Sequence, residues 1–387
     1  MKDIVVLGST GSIGQNCLAI VRENRSAFRV IGLATGTGVD TLARQVDEFK
    51  PEVVSIADKN AAVEFSGHYG ASGPRVLSGD EGLKELACLE RAHLIVNGLV
   101  GAVGLVPTIE AVRAGKDVAL ANKESMVLAG KMIMGLAAQC GARVLPIDSE
   151  HSGVHQCLSR REARVRRIVL TASGGPFLNK NARDLGNVTP EEVMRHPVWK
   201  MGKRICVDSA TLLNKGFEVI EARWFFSMDL SRIGVLIHPQ CAVHGIVEFE
   251  DGTTLAQISK ADMRIPMLYA MSFPDAIETS FESCDLVGVG PLTFLEPDLE
   301  QFPCFALALR AARAEGSAPV FLNAADEIAV SAFLDKTIRF TDIVGVLEGT
   351  LDRLDARPVD SVEGILAADA AARAVAKEIV SHVTHSS

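Results

Sequence analysis

Residues 4–14 are IVVLGSTGSIG, a short β-branched run followed at once by glycines at positions 8, 11 and 14. Glycine permits a sharp turn from a strand into a helix, and the N–H groups at the helix start can bind a pyrophosphate. The spacing is GxxGxxG rather than GxGxxG, so this loop predicts a dinucleotide cofactor on a helix that begins near Ile13. A glycine turn used only for packing is the alternative.

Similar β-branched runs recur up to residue 148 and alternate with segments of helical length. They begin at Arg29, Glu52, His93, Asp117 and Arg143. This alternation predicts βαβ units and an N-terminal Rossmann-like parallel sheet over residues 1–148, with helices on both faces. Ligands of such sheets bind beyond the carboxyl ends of the strands, so functional residues are expected there.

The pattern changes after residue 148. Residues 149–272 mix helices with the strand-like runs RIVLTAS, KRICVDS, GVLIHP and GIVEFEDGTTLAQIS, and Asp251-Gly252 marks a hairpin turn. This segment is predicted to be a central α+β catalytic domain. Residues 273–303 contain four prolines and are expected to be a linker, and the Ala-rich residues 304–387 predict a C-terminal helical bundle. The predicted fold class is therefore α/β.

Composition excludes several classes of protein. The net charge of −9 and the lack of a separate basic run argue against nucleic-acid binding. Eight cysteines occur without a CxxC pair, which favours reduced thiols over disulfides or a zinc-thiolate site. The start of the chain lacks the apolar core of a signal peptide, and no later run is long enough for a membrane span. We therefore expect a cytoplasmic protein that binds neither nucleic acid nor membrane.

The end of the second predicted strand carries Gly36, Thr37 and Gly38, where an NAD enzyme usually has an acidic residue for the ribose hydroxyls. Small residues with exposed N–H groups can accommodate a 2′-phosphate, which favours NADPH over NADH. Asp40, a few residues later, is the observation against this interpretation.

Two segments carry oxygen ligands suited to Mg²⁺ or Mn²⁺. Asp148 and Glu150 follow a predicted strand, and two residues apart in an extended segment they would face the same side. Asn214, Lys215 and Glu218 share one face of a predicted helix. The alternative is that these residues bind no metal and serve only as helix caps or solvated surface charges. The spacing of His151 and His155 would also suit a zinc site on a helix, but the intervening Ser-Gly disfavours a helix there.

Donor-rich segments in the central domain predict a phosphate site. Ser173 lies in TASGGP, where a hydroxyl precedes paired glycines after a strand, and Ser209 is expected near a helix start, ahead of Asn214 and Lys215. Lys123 follows the strand DVALA and could polarise a substrate carbonyl or stabilise an enolate. The alternatives are that the Ser173 segment is a plain turn, that the segment from Ser209 to Lys215 only caps a helix, and that Lys123 is an ordinary surface lysine.

Taken together, these motifs resemble the 1-deoxy-D-xylulose 5-phosphate reductoisomerase family over nearly the whole chain. The segments that carry the resemblance are GSTGSIGQN, ALANKES, LPIDSEH, TASGGPF, HPVWKMGKRICVDSATLLNKGFEVIEARW, LIHPQCAVHGIVEFEDGTTLAQI and LNAADEIAVSAFL. The resemblance implies a homodimer that uses NADPH and Mg²⁺, Mn²⁺ or Co²⁺. Its reaction would convert this ketose phosphate to 2-C-methyl-D-erythritol 4-phosphate, by a retro-aldol or an acyloin-type rearrangement followed by hydride transfer, in non-mevalonate isoprenoid synthesis.

Lys123, as a group that stabilises an oxyanion, and Glu150, as a proton relay, are the expected catalytic residues, and the resemblance implies the roles of further residues. The implied metal ligands are Asp148, Glu150 and Glu218. The implied substrate contacts are Lys123, Ser149, Glu150, Ser173, His196, Ser209, Asn214 and Lys215. The implied cofactor contacts are Thr10, Gly11, Ser12, Ile13, Gly36, Thr37, Gly38, Asn122 and Gly202. Residues 196–204, HPVWKMGKR, are expected to act as a mobile lid.

This chain departs from the family pattern at three places. Thr37-Gly38 stands where relatives often have Lys-Asn, Asn97 replaces a small apolar residue, and Asp326 stands where Asn is typical. Two other functions compete with the family interpretation. A semialdehyde dehydrogenase shares the GxxGxxG loop but needs an activated cysteine, which no segment here suggests. A nucleotide-sensing module would need the loop but not the carboxylates.

Overall fold

The computed structural model describes residues 1–159, 164–180, 182–195, 198–199 and 201–385. The chain forms two compact units. Unit 1 consists of Met1–Ser125, Lys131–Ser152 and Asp262–Phe281, and unit 2 of Met126–Gly130, Gly153–Ala261 and Glu282–Ser387. The predicted division at residues 148, 272 and 303 stays a prediction.

The first part of the chain alternates strands and helices. Its elements are β1 (Lys2–Leu7), α1 (Ser12–Glu23), β2 (Phe28–Thr35), α2 (Val39–Phe49), β3 (Val53–Ile56), α3 (Lys59–Tyr69), β4 (Arg75–Ser78), α4 (Gly79–Ala87), β5 (Leu94–Asn97), α5 (Leu105–Arg113), β6 (Asp117–Leu120), α6 (Lys123–Cys140), β7 (Val144–Pro146) and α7 (Ser149–Leu158). The seven strands pair in parallel in the order β4-β3-β2-β1-β5-β6-β7. The predicted Rossmann-like sheet is confirmed.

The strand order reverses between β1 and β5, because β2, β3 and β4 extend the sheet on one side and β5, β6 and β7 on the other. Loops on either side of such a switch point diverge and leave a crevice at the carboxyl edge. The last four residues of β1, Ile4 to Leu7, are completely buried, as expected for a strand covered on both faces. The strand order therefore predicts a ligand crevice beside the β1–α1 loop.

A late segment of the chain returns to unit 1. Helix α11 (Arg264–Ser272) contributes Met267 and Met271 to the core that also contains Ile4 and Leu145. The Lys2 ammonium donates hydrogen bonds to the carbonyls of Met271, Ser272 and Phe273 at 3.0, 3.0 and 2.8 Å. These carbonyls end the helix and lack intrahelical partners, so a cation there is favourable.

Unit 2 contains a mixed sheet and a group of helices. Its elements are β8 (Val165–Ala172), α8 (Pro190–Val193), α9 (Lys203–Ala210), α10 (Leu213–Phe225), β9 (Ile233–Ile237), β10 (Val243–Phe249), β11 (Thr254–Ile258), α12 (Leu286–Val289), α13 (Pro303–Ala314), α14 (Ala318–Leu334), α15 (Asp342–Arg353) and α16 (Val362–His385). The strand order is β11-β10-β8-β9, with β10 antiparallel to both neighbours. The hairpin predicted at Asp251-Gly252 is confirmed, and Gly252 has φ +85°.

The C-terminal helices form the predicted bundle around one core. Leu307 of α13, Leu322 of α14, Val346 of α15 and Ala376 of α16 are buried together with Phe217 of α10. Among the described residues, no helix is both long enough and apolar enough to cross a membrane.

Two local predictions were wrong. The run KRICVDS was predicted as a strand but forms α9, where Arg204 and Asp208 lie one helical turn apart while Cys206 and Val207 face the core. The period of these buried and charged residues is helical, and the β-branched content alone was misleading. The segment after β7 was predicted to be extended, but Ser149 already begins α7, so Glu150 lies in a first helical turn.

Candidate functional site

The turn between β1 and α1 requires its glycines. Gly8 has φ +78°, a conformation that L side chains rarely adopt. A Cβ on Gly14 would lie 2.4 Å from the carbonyl oxygen of Gly8 and 2.4 Å from Cα of Ser9, so the turn folds directly onto the helix. Gly11 is the N-cap of α1, and no described side chain caps this end. The turn therefore presents backbone donors as a dinucleotide loop does.

A buried network that sequence reasoning missed holds this turn. The Ser9 hydroxyl donates to Oε1 of Gln45 at 2.7 Å, and Nε2 of Gln45 donates back to the Ser9 carbonyl at 2.8 Å. The hydroxyls of Thr10 and Thr35 are 2.8 Å apart. Gln45 lies on α2 among polar neighbours, and nothing in its local pattern signals a partner 36 residues away.

The loop after β2 holds the other predicted cofactor contacts. Gly36 and Thr37 are exposed, and the N–H of Gly38 donates to the Thr35 hydroxyl at 3.2 Å. A Cβ on Gly38 would lie 2.7 Å from Oγ1 of Thr10, so glycine lets this loop approach the first turn. Asp40 is in the first turn of α2. The two loops that were predicted separately thus meet at one end of β1 and β2.

A third glycine-rich loop follows β5 and lies against the first turn, since a Cβ on Gly8 would lie 2.9 Å from the Gly98 carbonyl oxygen. Asn97, one of the departures from the family pattern, is fully buried. It donates to the Gly104 carbonyl and the Thr108 hydroxyl at 3.1 and 2.7 Å and accepts from the Leu99 N–H at 3.1 Å. The run NGLVGAVG after a strand was the available signal for this loop.

Asn122 ties the same loop to α6. It is the N-cap of α6, accepting from the Ser125 N–H at 3.1 Å. Its Nδ2 donates to the carbonyls of Leu99 and Gly101 at 3.1 and 3.0 Å. The side chain of Asn122 is thus hydrogen-bonded to the loop after β5 and to the start of α6, and its contact with a cofactor stays a prediction.

A lysine–carboxylate pair lies at the carboxyl ends of β6 and β7. The Lys123 ammonium, at the start of α6, donates to Oδ2 of Asp148 at 3.0 Å, and both side chains are largely buried. The Ser149 hydroxyl donates to Oε2 of Glu150 at 2.5 Å. Carboxylate oxygens of Asp148 and Glu150 lie within 4.8 Å of each other, a separation that one divalent cation can bridge. Contrary to expectation, His151 and His155 both lie on a helix, α7, where burial lowers the pKa of His155.

In unit 2, the turn after β8 brings two predicted phosphate-binding residues together. Gly174 and Gly175 have φ +81° and +69°, and the Gly175 N–H donates to Oγ of Ser173 at 3.1 Å. A Cβ on Gly175 would lie 2.6 Å from the Ser209 carbonyl oxygen. Ser209 is near the end of α9, not near a helix start as predicted. The close approach that glycine permits therefore sets the Ser173 turn against the end of α9.

The first turns of α10 carry the remaining polar residues of this group. Leu212, the N-cap, has φ +58°, a strained conformation for a residue with a side chain. The amide of Asn214 donates to Oε1 of Glu218 at 2.6 Å, and the Lys215 ammonium pairs with the other carboxylate oxygen. Glu218 and Lys215 are only 1% and 3% exposed. Oδ1 of Asn214 is buried and has no hydrogen-bond partner among the described residues, so it can accept from a bound group.

The predicted lid is only partly described. His196 lies outside the described residues, together with two other positions of that segment. Gly202 is the N-cap of α9, and the Trp199 ring lies 6.1 Å from the ring of His244.

The chain matches three family models in succession. Residues 4–130 match the model described as 1-deoxy-D-xylulose 5-phosphate reductoisomerase. Residues 144–226 and 258–375 match two models described as C-terminal domains of the same enzyme.

Relatives and solved structures with this name align over almost the whole chain. The reductoisomerase of Chlorobaculum tepidum is 46% identical over 98% of this chain and 100% of its own. That of Thermodesulfovibrio yellowstonii is 47% identical over 98% of this chain and 99% of its own. The Zymomonas mobilis enzyme in complex with NADPH has a TM-score of 0.91 at 38% identity, covering 98% of this chain and 99% of the other. A DOX-P reductoisomerase with NADPH, fosmidomycin and magnesium has a TM-score of 0.93 at 37% identity, covering 98% of each chain.

Proposed function

The chain belongs to the 1-deoxy-D-xylulose 5-phosphate reductoisomerase family. On this basis we propose which of its residues bind the cofactor, the metal and the substrate and which carry out the reaction. It converts 1-deoxy-D-xylulose 5-phosphate to 2-C-methyl-D-erythritol 4-phosphate with NADPH and a divalent metal, in non-mevalonate isoprenoid synthesis. One observation carries the residue assignment. At the carboxyl edge of a single parallel sheet lie a close-packed glycine turn after β1 and a largely buried Lys123–Asp148 pair after β6 and β7.

The cofactor assignment is supported by the first turn. Gly8 and Gly14 allow the backbone to approach a pyrophosphate closely, and the N–H groups of Gly11, Ser12 and Ile13 supply its donors. Thr10, Gly36, Thr37 and Gly38 would line the ribose and 2′-phosphate end. Asn122 and Gly202 would complete the contacts, as the family resemblance implies.

The metal assignment rests on the chemistry of the donors. We assign Asp148, Glu150 and Glu218 as ligands of Mg²⁺, Mn²⁺ or Co²⁺, because hard cations prefer carboxylate oxygens and keep positions open for substrate. Two observations support a cation: the close approach of the Asp148 and Glu150 carboxylates, and the burial of Glu218 beside a lysine. A bound cation supplies Lewis acidity toward the carbonyl and hydroxyl oxygens of the substrate.

We assign the substrate phosphate to the polar side chains of unit 2. The Ser173 and Ser209 hydroxyls and the Asn214 and Lys215 side chains are donors of the type that surrounds a phosphate. Ser149, Glu150 and Lys123 would contact the reacting end, and His196 would join from the predicted lid. Residues 196–204 would exclude water during hydride transfer.

Lys123 and Glu150 are the proposed catalytic side chains. The Lys123 ammonium, held by Asp148 in a largely buried position, would stabilise negative charge that develops on a substrate oxygen. Glu150 would relay a proton, with the Ser149 hydroxyl donating to its carboxylate and orienting it. Both roles apply to a retro-aldol and to an acyloin-type rearrangement, and bound NADPH would supply the hydride for the reduction that follows.

We further propose a cytoplasmic homodimer. Apolar side chains are unusually exposed along one stretch of unit 2: Leu286, Val287, Leu292, Phe294, Leu295 and Leu299. Exposed apolar groups in such a cluster are typical of a protein interface. Sedimentation of the wild type and of Val287→Asp tests this, because an unchanged oligomeric state in the variant would remove this stretch from the interface.

The central test is NADPH oxidation with the ketose phosphate, with and without a chelator and with each metal added back. Glu218→Gln and Asp148→Asn should abolish most turnover and leave NADPH binding nearly intact, since the carboxylates act on the substrate and the glycine turn binds the cofactor. Glu250→Gln, a neutralised exposed carboxylate on a hairpin, is the matched control and should behave as wild type. Metal-dependent turnover that persists in either site variant would contradict the ligand assignment.

A further inference from the structure

The loop that follows β5, residues 98–104 with the sequence GLVGAVG, is held at its middle by side chains from the start of α6. The amide of Asn122 donates to the carbonyls of Leu99 and Gly101 at 3.1 and 3.0 Å. The Gly101 N–H donates to Oε1 of Glu124 at 3.0 Å. The middle of the loop is therefore fixed by groups that lie outside it.

A single side chain, that of Asn97, holds both ends of the same loop. Its Oδ1 accepts from the Leu99 N–H at 3.1 Å, at the beginning of the loop. Its Nδ2 donates to the Gly104 carbonyl at 3.1 Å, at the end of the loop, and to the Thr108 hydroxyl on α5 at 2.7 Å. Because this amide uses both its oxygen and its nitrogen, it sets the separation of the two loop ends.

The 98–104 loop packs directly against the glycine turn that is proposed to bind the cofactor. A Cβ on Gly98 would lie 2.7 Å from Cγ2 of Ile13, and a Cβ on Gly8 would lie 2.9 Å from the Gly98 carbonyl oxygen. Contacts this close leave no room for the loop to shift unless the turn shifts as well. Ile13 and Asn122 are both proposed cofactor contacts, so the conformation of the loop bears on both.

We propose that Asn97 is a positioning residue for NADPH binding: its amide holds the 98–104 loop in the conformation that keeps the glycine turn and Asn122 in place for the cofactor. The inference rests on the proposed function in that the turn after β1 is taken to bind NADPH. Asn97 is 0% exposed, so its effect on NADPH is transmitted through the loop and not by contact. If only a fraction of the molecules has the competent loop, the apparent Kd rises by the inverse of that fraction.

Three variants separate this role from a general loss of stability. Asn97→Ala removes the hydrogen bonds to both ends of the loop. Thr108→Val has nearly the same shape as the wild-type residue and removes the connection to α5, but it keeps the bond between Asn97 and the Leu99 N–H. Val54→Ala is the matched control: Val54 is 0% exposed in β3 of the same sheet, and its loss leaves a cavity without removing a hydrogen bond.

The first measurement is calorimetric titration of each full-length protein with NADPH, at a temperature where all of them are folded. Relative to the wild type, the Kd should rise at least fivefold in Asn97→Ala, at least twofold but less in Thr108→Val, and less than twofold in Val54→Ala. Wild-type affinity in Asn97→Ala, or in Thr108→Val if Asn97→Ala does not fold, overturns the proposal. An equal loss in Val54→Ala also overturns it.

Steady-state kinetics with the ketose phosphate and Mg²⁺ supply a second readout. The KM for NADPH should rise at least fivefold in Asn97→Ala, while kcat at saturating NADPH stays within twofold of the wild type. This division is expected because bound NADPH selects the competent loop, and the proposed catalytic side chains Lys123 and Glu150 lie outside it. A fall in kcat at an unchanged KM overturns the positioning role.

Hydrogen exchange of the Gly101 amide tests the loop without turnover. This N–H is bound to Glu124 and not to Asn97, so its exchange reports the loop and not the deleted bond. Without NADPH, the amide should exchange at least fivefold faster in Asn97→Ala than in the wild type and Val54→Ala. Equal exchange overturns the proposal. If the wild type does not bind NADPH, the proposed function fails, and the exchange still decides whether Asn97 holds the loop.

Discussion

Gly14→Ala tests whether the turn after β1 binds the cofactor as its geometry indicates. The added Cβ would lie 2.4 Å from the Gly8 carbonyl oxygen and 2.6 Å from the Ser9 carbonyl carbon, and real Cβ atoms essentially never come within 3.0 Å of such neighbours. Both neighbours are backbone atoms of the turn itself, so relief requires the turn to move away from α1. That movement displaces the N–H groups proposed to hold the pyrophosphate.

The magnitude follows from two opposing effects. Alanine is favoured over glycine inside a helix by about 1 kcal/mol, whereas overpacking of this kind costs about 1–3 kcal/mol. We expect a small net loss of stability and a loss of NADPH affinity of about tenfold or more, which corresponds to about 1.4 kcal/mol. Gly135→Ala is the matched control: Gly135 is also helical, in α6, and no described atom lies within 4 Å of its added Cβ.

NADPH binding is measured by calorimetric titration, and stability by the midpoint of thermal unfolding. Gly135→Ala should bind NADPH as the wild type does and unfold at a slightly higher temperature. If Gly14→Ala binds NADPH with wild-type affinity, the turn does not contact the pyrophosphate, and the reasoning from its close packing is refuted.

Three further outcomes are expected. NADPH should have a higher kcat/KM than NADH, but by less than in relatives with Lys-Asn after Gly36, since Thr37-Gly38 offers no cation; a preference for NADH would contradict this. Ligand-induced change in tryptophan emission should vanish in Trp199→Phe and persist in Trp224→Phe if residues 196–204 close; the reverse pattern would reject the lid. In denaturant unfolding, the free energy of unfolding of the wild type should fall by about 2 kcal/mol relative to Asp326→Asn between pH 4 and 7, because burial raises the pKa of Asp326 from 3.8 to about 6 and the folded protein loses this proton as the pH rises; equal pH profiles would disprove it.

The nucleotide-binding sheet was predictable because its signals are local. Six of the seven strands of unit 1 lie in the runs named from the sequence, and polar residues or glycines follow several of them, which the parallel topology then brings to one edge. Lys123 and Asp148 illustrate this: they are 25 residues apart in sequence, yet both follow strands that pair directly. Their proximity therefore follows from the strand order alone.

The errors arose where tertiary packing overrides local preference. Ile205, Cys206 and Val207 favour a strand by composition, but the ion pairs of Arg204 with α14 and the burial of Cys206 and Val207 favour a helix. The Arg204 side chain is 16% exposed and is held by α14. The partner of Arg204, at position 326, is 122 residues away and gave no local signal.

The attachment of Lys2 to the end of α11 has a consequence for biosynthesis. The second residue of the chain is bound by carbonyls that leave the ribosome only after residue 273 has been added. At 5–20 residues per second, roughly 6–26 s separate the emergence of residue 152 from that of residue 281. During this interval the apolar side chains that later contact Met267 and Met271 lie open, and a nascent chain stalled there would be a substrate for chaperones.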